Sequence, residues 1–220
     1  KAINRIPLAR GLGSSAAATM GALCAANKLC GHPLSEQALL NMATTLEGHP
    51  DNIVPAMVGG FCLAAVVDHE TRYIKFSAPG NLRAVVCIPQ KPMSTKDARR
   101  VLPSRVPLSA AVFTSSRVAF LVGAMVQKKF QWLDFAMEDV LHQPARAALL
   151  PGLKDVIAEA KKEGAWGAAL SGAGSSVIAL TKPGPVARRV GESMRRRFAA
   201  RGIPSRWVDL RLENKGLRFL

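Results

Sequence analysis

Aromatic side chains are scarce in this chain: 5% of 220 residues, with one tyrosine, three tryptophans and eight phenylalanines. That removes most of the stacking surface on which single-stranded nucleic-acid binders depend. Cysteine is sparse as well. Cys24, Cys30, Cys62 and Cys87 form no C-x-x-C pair and do not cluster with histidine. This excludes a zinc–thiolate site and a disulfide framework, and suits reduced core residues in a cytosol-like compartment. Long hydrophobic runs are short too. The uncharged, mostly apolar stretch Ile53–Val67 contains Pro55 and paired glycines and falls below the roughly 18 residues of a membrane span, so no membrane segment is expected. Negative charge is the last shortage: 15 Asp+Glu stand against 30 Lys+Arg, a formal net charge of +15. A basic surface draws polyanions in general, whether nucleic acid, phosphorylated metabolites or anionic membranes. The densest run, Arg195–Arg197 with Arg201, reads most simply as the solvated face of a helix.

What is present suffices for a globular fold. Hydrophobic residues make up 49% of the chain, enough for a sizeable core in one or two domains. The chain opens on KAINRIP without methionine or a signal peptide, and the expectation is that its natural N-terminal part is missing. In PLARGLGSSAAA, Gly11 and Gly13 permit a positive-φ turn, and Ser14 and Ser15 stand at the N-cap of an alanine-rich helix ending near Cys30. A second helix is expected from about Ser35 to Glu47, stopped by Gly48 and Pro50. NIVPAMVGGFCLAAVV then reads as a buried loop followed by a strand. A boundary falls in the turn-rich Ser77–Leu82. Beyond it the pattern predicts a strand at Arg83–Pro89, a basic loop KPMSTKDARR, and a long apolar helix from Ser109 to Lys129. Helices follow near Trp132–Gln143 and Gly152–Gly164, then a glycine-containing strand pair in WGAALSGAGSSVIAL. A basic helix from Pro185 and a strand at Ser205–Leu210 complete it. The second half alternates strands and helices like a two-layer α+β sandwich, and neither half contains an internal repeat.

Gly11-Leu12-Gly13-Ser14-Ser15 before a helix is a physically sound anion cradle. Free N–H groups and the positive end of the helix dipole would meet a phosphate, and the small Ala16 and Ala17 let the backbone approach. The loop is neither G-x-x-x-x-G-K-[ST] nor G-x-G-x-x-G, and a glycine–serine turn alone is often only a cap. Glu47 ends its helix where the dipole disfavours a carboxylate. His49, Asp51 and Asn52 lie in a Gly/Pro-bounded turn, able either to converge on a small polar ligand or to hold the turn by local bonds. Arg117 is the only charge between Ala110 and Val126 and lines up with Phe113 and Leu121, so it needs an anionic or carbonyl partner; a structural carboxylate pair is the favoured one.

Three segments in order carry a resemblance. PLARGLGSSAAA is similar to the phosphate-binding motif of the GHMP small-molecule kinases. LEGHPDNIVPAMVGGF is similar to the homoserine kinase branch of that superfamily, and GAALSGAGSS to its late glycine-rich motif. The resemblance covers nearly the whole chain. It implies a GHMP fold of α+β class, with a ribosomal-protein-like N-terminal domain over residues 1–79, lacking its start, and a ferredoxin-like C-terminal domain over 80–220. It also implies transfer of the ATP γ-phosphoryl group to L-homoserine in the cytoplasm, with magnesium and without nucleic-acid or membrane partners, and leaves a homodimer open. ATP would be bound by Pro7, Leu8, Ala9, Arg10, Gly11, Leu12, Gly13, Ser14, Ser15, Ala16 and Ala17. Ser15 and Glu47 match magnesium-ligand positions, which suits the charge neutralisation that phosphoryl transfer demands. His49, Asp51 and Asn52 would line the homoserine pocket, Asp51 at the ammonium and Asn52 at the reacting hydroxyl. The similarity of MSTKDAR extends these roles: Thr95 near the reacting groups and Arg99 on the carboxylate, joined by Arg146 of HQPAR. Gly172 would line the substrate from SGAGSS. Two rival readings are a mevalonate-type or diphosphocytidyl-type GHMP kinase, and a basic nucleic-acid-binding module.

Overall fold

The computed structural model describes residues 3–219; Lys1, Ala2 and Leu220, the outermost residues of the expected domain ranges, lie outside it. The chain divides into two compact units. One holds the described residues up to Pro7, Gly13–Ala78 and the tail from Glu213; the other holds Leu8–Leu12 and Pro79–Leu212. Beside the single cut expected near residue 80, two short segments thus change sides.

In the first unit, helix α1 (Ser14–Leu29) buries Ala16, Met20 and Cys24 at four-residue spacing, one face of a helix. Helix α2 (Glu36–Glu47) is capped by Ser35, whose side chain accepts the Ala38 N–H, and ends at Gly48 with φ 84°. It contributes Leu39, Leu40 and Ala43 to the same core. Helix α3 (Ile53–Val58) supplies the fully buried Ile53 and Val54. Strands β1 (Phe61–Val67) and β2 (Glu70–Phe76) pair antiparallel, with Val67 opposite Glu70.

The second unit contains strand β3 (Arg83–Pro89), helix α4 (Thr95–Arg100), helix α5 (Leu108–Gln127) and a 3-10 turn at Phe130–Trp132. Helices α6 (Leu133–Ala136), α7 (Gln143–Ala147) and α8 (Leu153–Lys162) follow, then strands β4 (Gly167–Leu170) and β5 (Val177–Thr181), helix α9 (Pro185–Ala199) and strand β6 (Ser205–Arg211). The sheet order is β4-β5-β3-β6 and every neighbouring pair is antiparallel. This is the ferredoxin-like α+β arrangement expected. Leu153 and Val156 of α8 and Val190, Met194 and Phe198 of α9 cover Val85, Cys87, Val177 and Ala179 of the sheet. Full burial of a side chain such as Phe198 stabilises the fold by about 2 kcal/mol. Gly191 is where α9 lies flat on the Trp207 ring; an added Cβ would overlap it.

Several expectations need correction. The N-cap of α1 is Gly13, at φ 70°, and Ser14 and Ser15 occupy the first helical turn. Ile53–Val58 is a helix rather than a loop, because Pro55 stands in its first turn, where no N–H is required of it. Strand β2 was not anticipated: its hairpin turn is Asp68–His69, both at positive φ without a glycine to mark it. The basic loop contains α4, capped by Ser94. The helix expected over Trp132–Gln143 is broken, since the Asp139 carboxylate takes the N–H groups of Leu141, His142 and Gln143. Cys30 is exposed, unlike the buried Cys24 and Cys87; burial pushes the Cys87 thiol up to about 11. Helix α5 is long and apolar enough to cross a membrane by length and composition, although Arg117 interrupts its uncharged run. That arginine pairs with Glu138 at 3.2 Å and lies 4.0 Å over the Phe113 ring, the structural pairing favoured for it.

Candidate functional site

The glycine loop is bound on one side and open on the other. Within the second unit, the Ala9 carbonyl accepts the Met93 N–H at 3.1 Å, that of Arg10 accepts the Ser176 N–H at 3.2 Å, and that of Gly11 accepts the Ser171 hydroxyl at 2.8 Å. Three consecutive carbonyls are thus tied to the protein, while the N–H groups of Gly11–Ser15 have no hydrogen-bond acceptor among the described residues. Arg10 belongs to the same clasp: Nε donates to Pro89 O at 2.8 Å and Nη2 to Gln90 O at 2.6 Å. Its guanidinium therefore braces the loop instead of reaching for a phosphate. Gly11 has φ 67°, and an added Cβ would overlap the Ser171 carbonyl. Gly172 lies against the same glycine, with 3.2 Å between its notional Cβ and Gly11 O.

In the first unit the loop becomes α1, whose opening N–H groups have no intrahelical partner. Ser14 is turned inward: Oγ accepts Asn4 Nδ2 at 2.8 Å and donates to Ile6 O. Ser15 points elsewhere, and its Oγ donates to Glu47 Oε2 at 2.8 Å. The two expected metal ligands, 32 positions apart, thus stand side by side. Among the described residues there is no group of three or more His, Cys, Asp and Glu side chains able to hold a metal. One hydroxyl and one carboxylate are a sparse, hard oxygen set. Such a set fits magnesium, which keeps waters and phosphate oxygens in its shell, and does not fit a protein-caged metal.

The turn after Gly48 is held by its own side chains. His49 Nδ1 is hydrogen-bonded to Asp51 Oδ1, and Asn52 Nδ2 donates to the same oxygen at 3.3 Å. Asp51 keeps Oδ2 and is exposed. Asn52 stands next to Gly13, 3.3 Å from its Oδ1 to a notional Cβ there, and its carbonyl begins α3 by accepting the Ala56 N–H.

In the second unit, Ser94 forms a reciprocal cap: its Oγ accepts the Asp97 N–H at 3.0 Å and donates to Asp97 Oδ2 at 2.7 Å. Thr95 then opens α4 and Arg99 lies in its last turn, both exposed. Arg146 of α7 binds the other two segments: Nε donates to Ala98 O and Nη1 to Gly172 O, each at 3.1 Å. Burial and the nearby Arg99 charge lower its pKa, against the opposing influence of Asp139. Two neighbouring guanidiniums, one of them partly desolvated, form a natural anion receptor. Burial likewise lowers the pKa of His142, next to Arg146 Nη1 at 3.3 Å, which favours the neutral ring.

Sequence reasoning missed Asp139 and Gln143. Asp139 caps α7, and Gln143 Oε1 accepts the Leu170 N–H at 2.8 Å, tying α7 to β4. Pro144 was the visible signal that a helix restarts there.

Residues 1–60 match the family model for the GHMP kinases N terminal domain, and residues 121–200 that for GHMP kinases C terminal. The homoserine kinase of Carboxydothermus hydrogenoformans is 46% identical over 213 residues, 97% of this chain and 69% of that protein. The crystal structure of homoserine kinase from Cytophaga hutchinsonii superposes with a TM-score of 0.89 at 34% identity, over 97% of this chain and 69% of that one. The structure of L. major mevalonate kinase in complex with R-mevalonate superposes at 0.64 with 18% identity, covering 87% of this chain and 62% of that one, a likeness of fold alone.

Proposed function

The chain belongs to the homoserine kinases of the GHMP superfamily, and from that premise we infer that it phosphorylates the side-chain hydroxyl of L-homoserine with ATP, giving O-phospho-L-homoserine for threonine synthesis. The amides of the Gly11–Ser15 loop take the ATP phosphates, with Pro7–Arg10 and Ala16–Ala17 flanking them. Ser15 and Glu47 hold magnesium, which when bound offsets charge on the transferred group. Arg99 and Arg146 clamp the substrate carboxylate, Asp51 receives its ammonium, and His49 fixes Asp51. Asn52 orients the attacking hydroxyl, with Thr95 and Gly172 lining the pocket. No lysine–aspartate base pair stands in these motifs, so catalysis rests on positioning and electrostatics, and the hydroxyl proton passes to a phosphoryl oxygen of ATP.

The observation that supports the amino-acid substrate is the arginine pair. Among the described residues the Arg99 guanidinium has no hydrogen-bond or ion-pair partner, and neither has Arg146 Nη2, although Arg146 Nε and Nη1 donate to Ala98 O and Gly172 O. A mevalonate-type substrate also has a carboxylate, but only an amino acid also uses Asp51. Nucleic acid is not a partner in this reading: Arg195, Arg197 and Arg201 are engaged by Glu192, Glu159 and Asp155. The bacterial relatives favour a cytoplasmic enzyme without a membrane partner, and a homodimer is compatible with the same activity.

The test is homoserine-dependent ADP release with ATP and magnesium. Arg99→Ala should raise the homoserine KM roughly 10- to 100-fold, as expected for one charge-assisted hydrogen-bond donor, and leave the ATP KM within twofold. Arg146→Ala should do the same and also lower kcat, because Ala98 O and Gly172 O lose their donor. Glu47→Ala should raise the magnesium requirement. ADP release indifferent to homoserine, or an equal response to mevalonate, would overturn the assignment.

A further inference from the structure

We propose that the carboxyl-terminal strap Glu213–Leu217 is a positioning element for the reaction, acting through α3 on Asn52; this rests on the role inferred above for Asn52. Helix α3 has only 6 residues. An isolated helix of this length is unstable in water, so its placement depends on what holds its two ends. Its first end is Asn52 itself, whose carbonyl accepts the Ala56 N–H. Its last carbonyls have no intrahelical partner, and here they are met from outside the helix. Leu217 N–H donates to Met57 O at 3.0 Å, and Lys75 Nζ donates to Val58 O at 2.6 Å.

The same lysine ties in the strap, donating to Asn214 O at 3.0 Å. Gly60 N–H reaches Glu213 O at 2.8 Å. Asn214 is fixed in turn by a two-way bond with the Ala78 backbone, accepting its N–H at 2.6 Å and donating to its carbonyl at 3.1 Å. Two glycines make the approach possible. A Cβ on Gly59 would lie 2.6 Å from Lys215 C and 2.7 Å from Gly216 N, and one on Gly216 would overlap the Met57 carbonyl. Backbone therefore packs on backbone at the end of α3, a contact that no side chain could make. Behind it Leu217 packs against the core that holds Ile53 and Val54.

The consequence is mechanical. Any side chain at position 216 must push the end of α3 away by roughly 1 Å, and misplacement on that scale costs a reaction about 10²-fold. The helix is about 9 Å long and rigid over one and a half turns, so Asn52 moves with it. Asp51, which accepts the Asn52 Nδ2 at 3.3 Å, loosens with it, but the carboxylate clamp does not include α3, so homoserine affinity should fall less than kcat.

The experiment compares Gly216→Val, Lys75→Ala, Lys75→Arg and Asn52→Ala in the steady-state kinase assay, with thermal unfolding as a check on folding. Gly216→Val should lower kcat about 100-fold and Lys75→Ala about 3- to 10-fold, each with a smaller change in the homoserine KM than in kcat. Lys75→Arg should restore most of the lysine effect. The double variant Asn52→Ala/Gly216→Val should lose no more than Asn52→Ala alone, because the strap acts through that residue. If Gly216→Val does not fold, the Lys75 pair and its own double variant with Asn52→Ala decide. Strap variants with unchanged kcat beside an impaired Asn52→Ala would overturn the strap and leave the assignment of Asn52 intact. An Asn52→Ala enzyme with parental kcat would overturn both.

Discussion

Gly11 and Gly13 share a left-handed backbone, φ 67° and 70°, but not a neighbourhood. A methyl at Gly11 meets the fixed Ser171 carbonyl and, 2.6 Å away, Gly174 N; a methyl at Gly13 meets only the Asn52 side chain, at 3.3 Å. Both substitutions carry the left-handed cost of about 1–2 kcal/mol, and only the first adds a backbone clash. Gly11→Ala should therefore lower Tm by more than about 2–8 °C and raise the ATP KM over tenfold, with Gly13→Ala milder in both. Calorimetry with a parallel ATP titration checks this, and equal effects would contradict it. At this scale the sequence was partly legible. The need for glycine at both positions followed from the turn, whereas the inward set of Ser14 and the bracing role of Arg10 did not. Those depend on which carbonyls lie within reach, Ile6 O for one and Pro89 O and Gln90 O for the other.

Among the elements, α4 shows how a readable signal was overlooked. Ser94 followed three positions later by Asp97 is a capping pair, yet the surrounding lysines and arginines gave the segment the look of a loop. Ser94→Ala removes both bonds of the cap and should cost about 1 kcal/mol. Because α4 presents Thr95 and Arg99, the homoserine KM should rise several-fold while the ATP KM holds; steady-state kinetics would show an unaltered homoserine KM if the cap were dispensable. Strand β2 and the break between α6 and α7 were not readable by the same means. In β2 the turn residues Asp68 and His69 both take positive φ, without the glycine that usually marks such a hairpin. In the break, a single carboxylate, Asp139, outcompetes helical hydrogen bonds that the local composition would have supported.

For the molecule as a whole, charge is the dominant property. A net charge of +15 attracts polyanions over a Debye length of about 30 Å at 0.01 M salt and about 8 Å at 0.15 M. Weak RNA or heparin binding should therefore appear at about 10 mM salt, show no preference among sequences, and vanish near physiological ionic strength with a steep log–log slope. Fluorescence anisotropy across a salt series measures it. Sequence-selective binding that survives 0.15 M salt would restore nucleic acid as a partner. Helix α5 belongs to the same scale: by composition it could enter a membrane, and its one charge is satisfied by Glu138 and Phe113.

The amino-acid sequence by itself determined the order of most helices and strands, the α+β class, the glycine turn before α1 and the resemblance to homoserine kinases. These depend on local periodicity, on turn chemistry and on short contiguous motifs, all of which survive in one dimension. Only the tertiary structure decided that Ser15 meets Glu47 from 32 positions away, that Arg146 is anchored on Ala98 O and Gly172 O beside Arg99, and that the tail from Glu213 closes on α3. Such pairings rest on distances between segments remote in the chain. Hydrogen bonds and glycine-sized gaps at those distances are properties of packing, which no local pattern encodes.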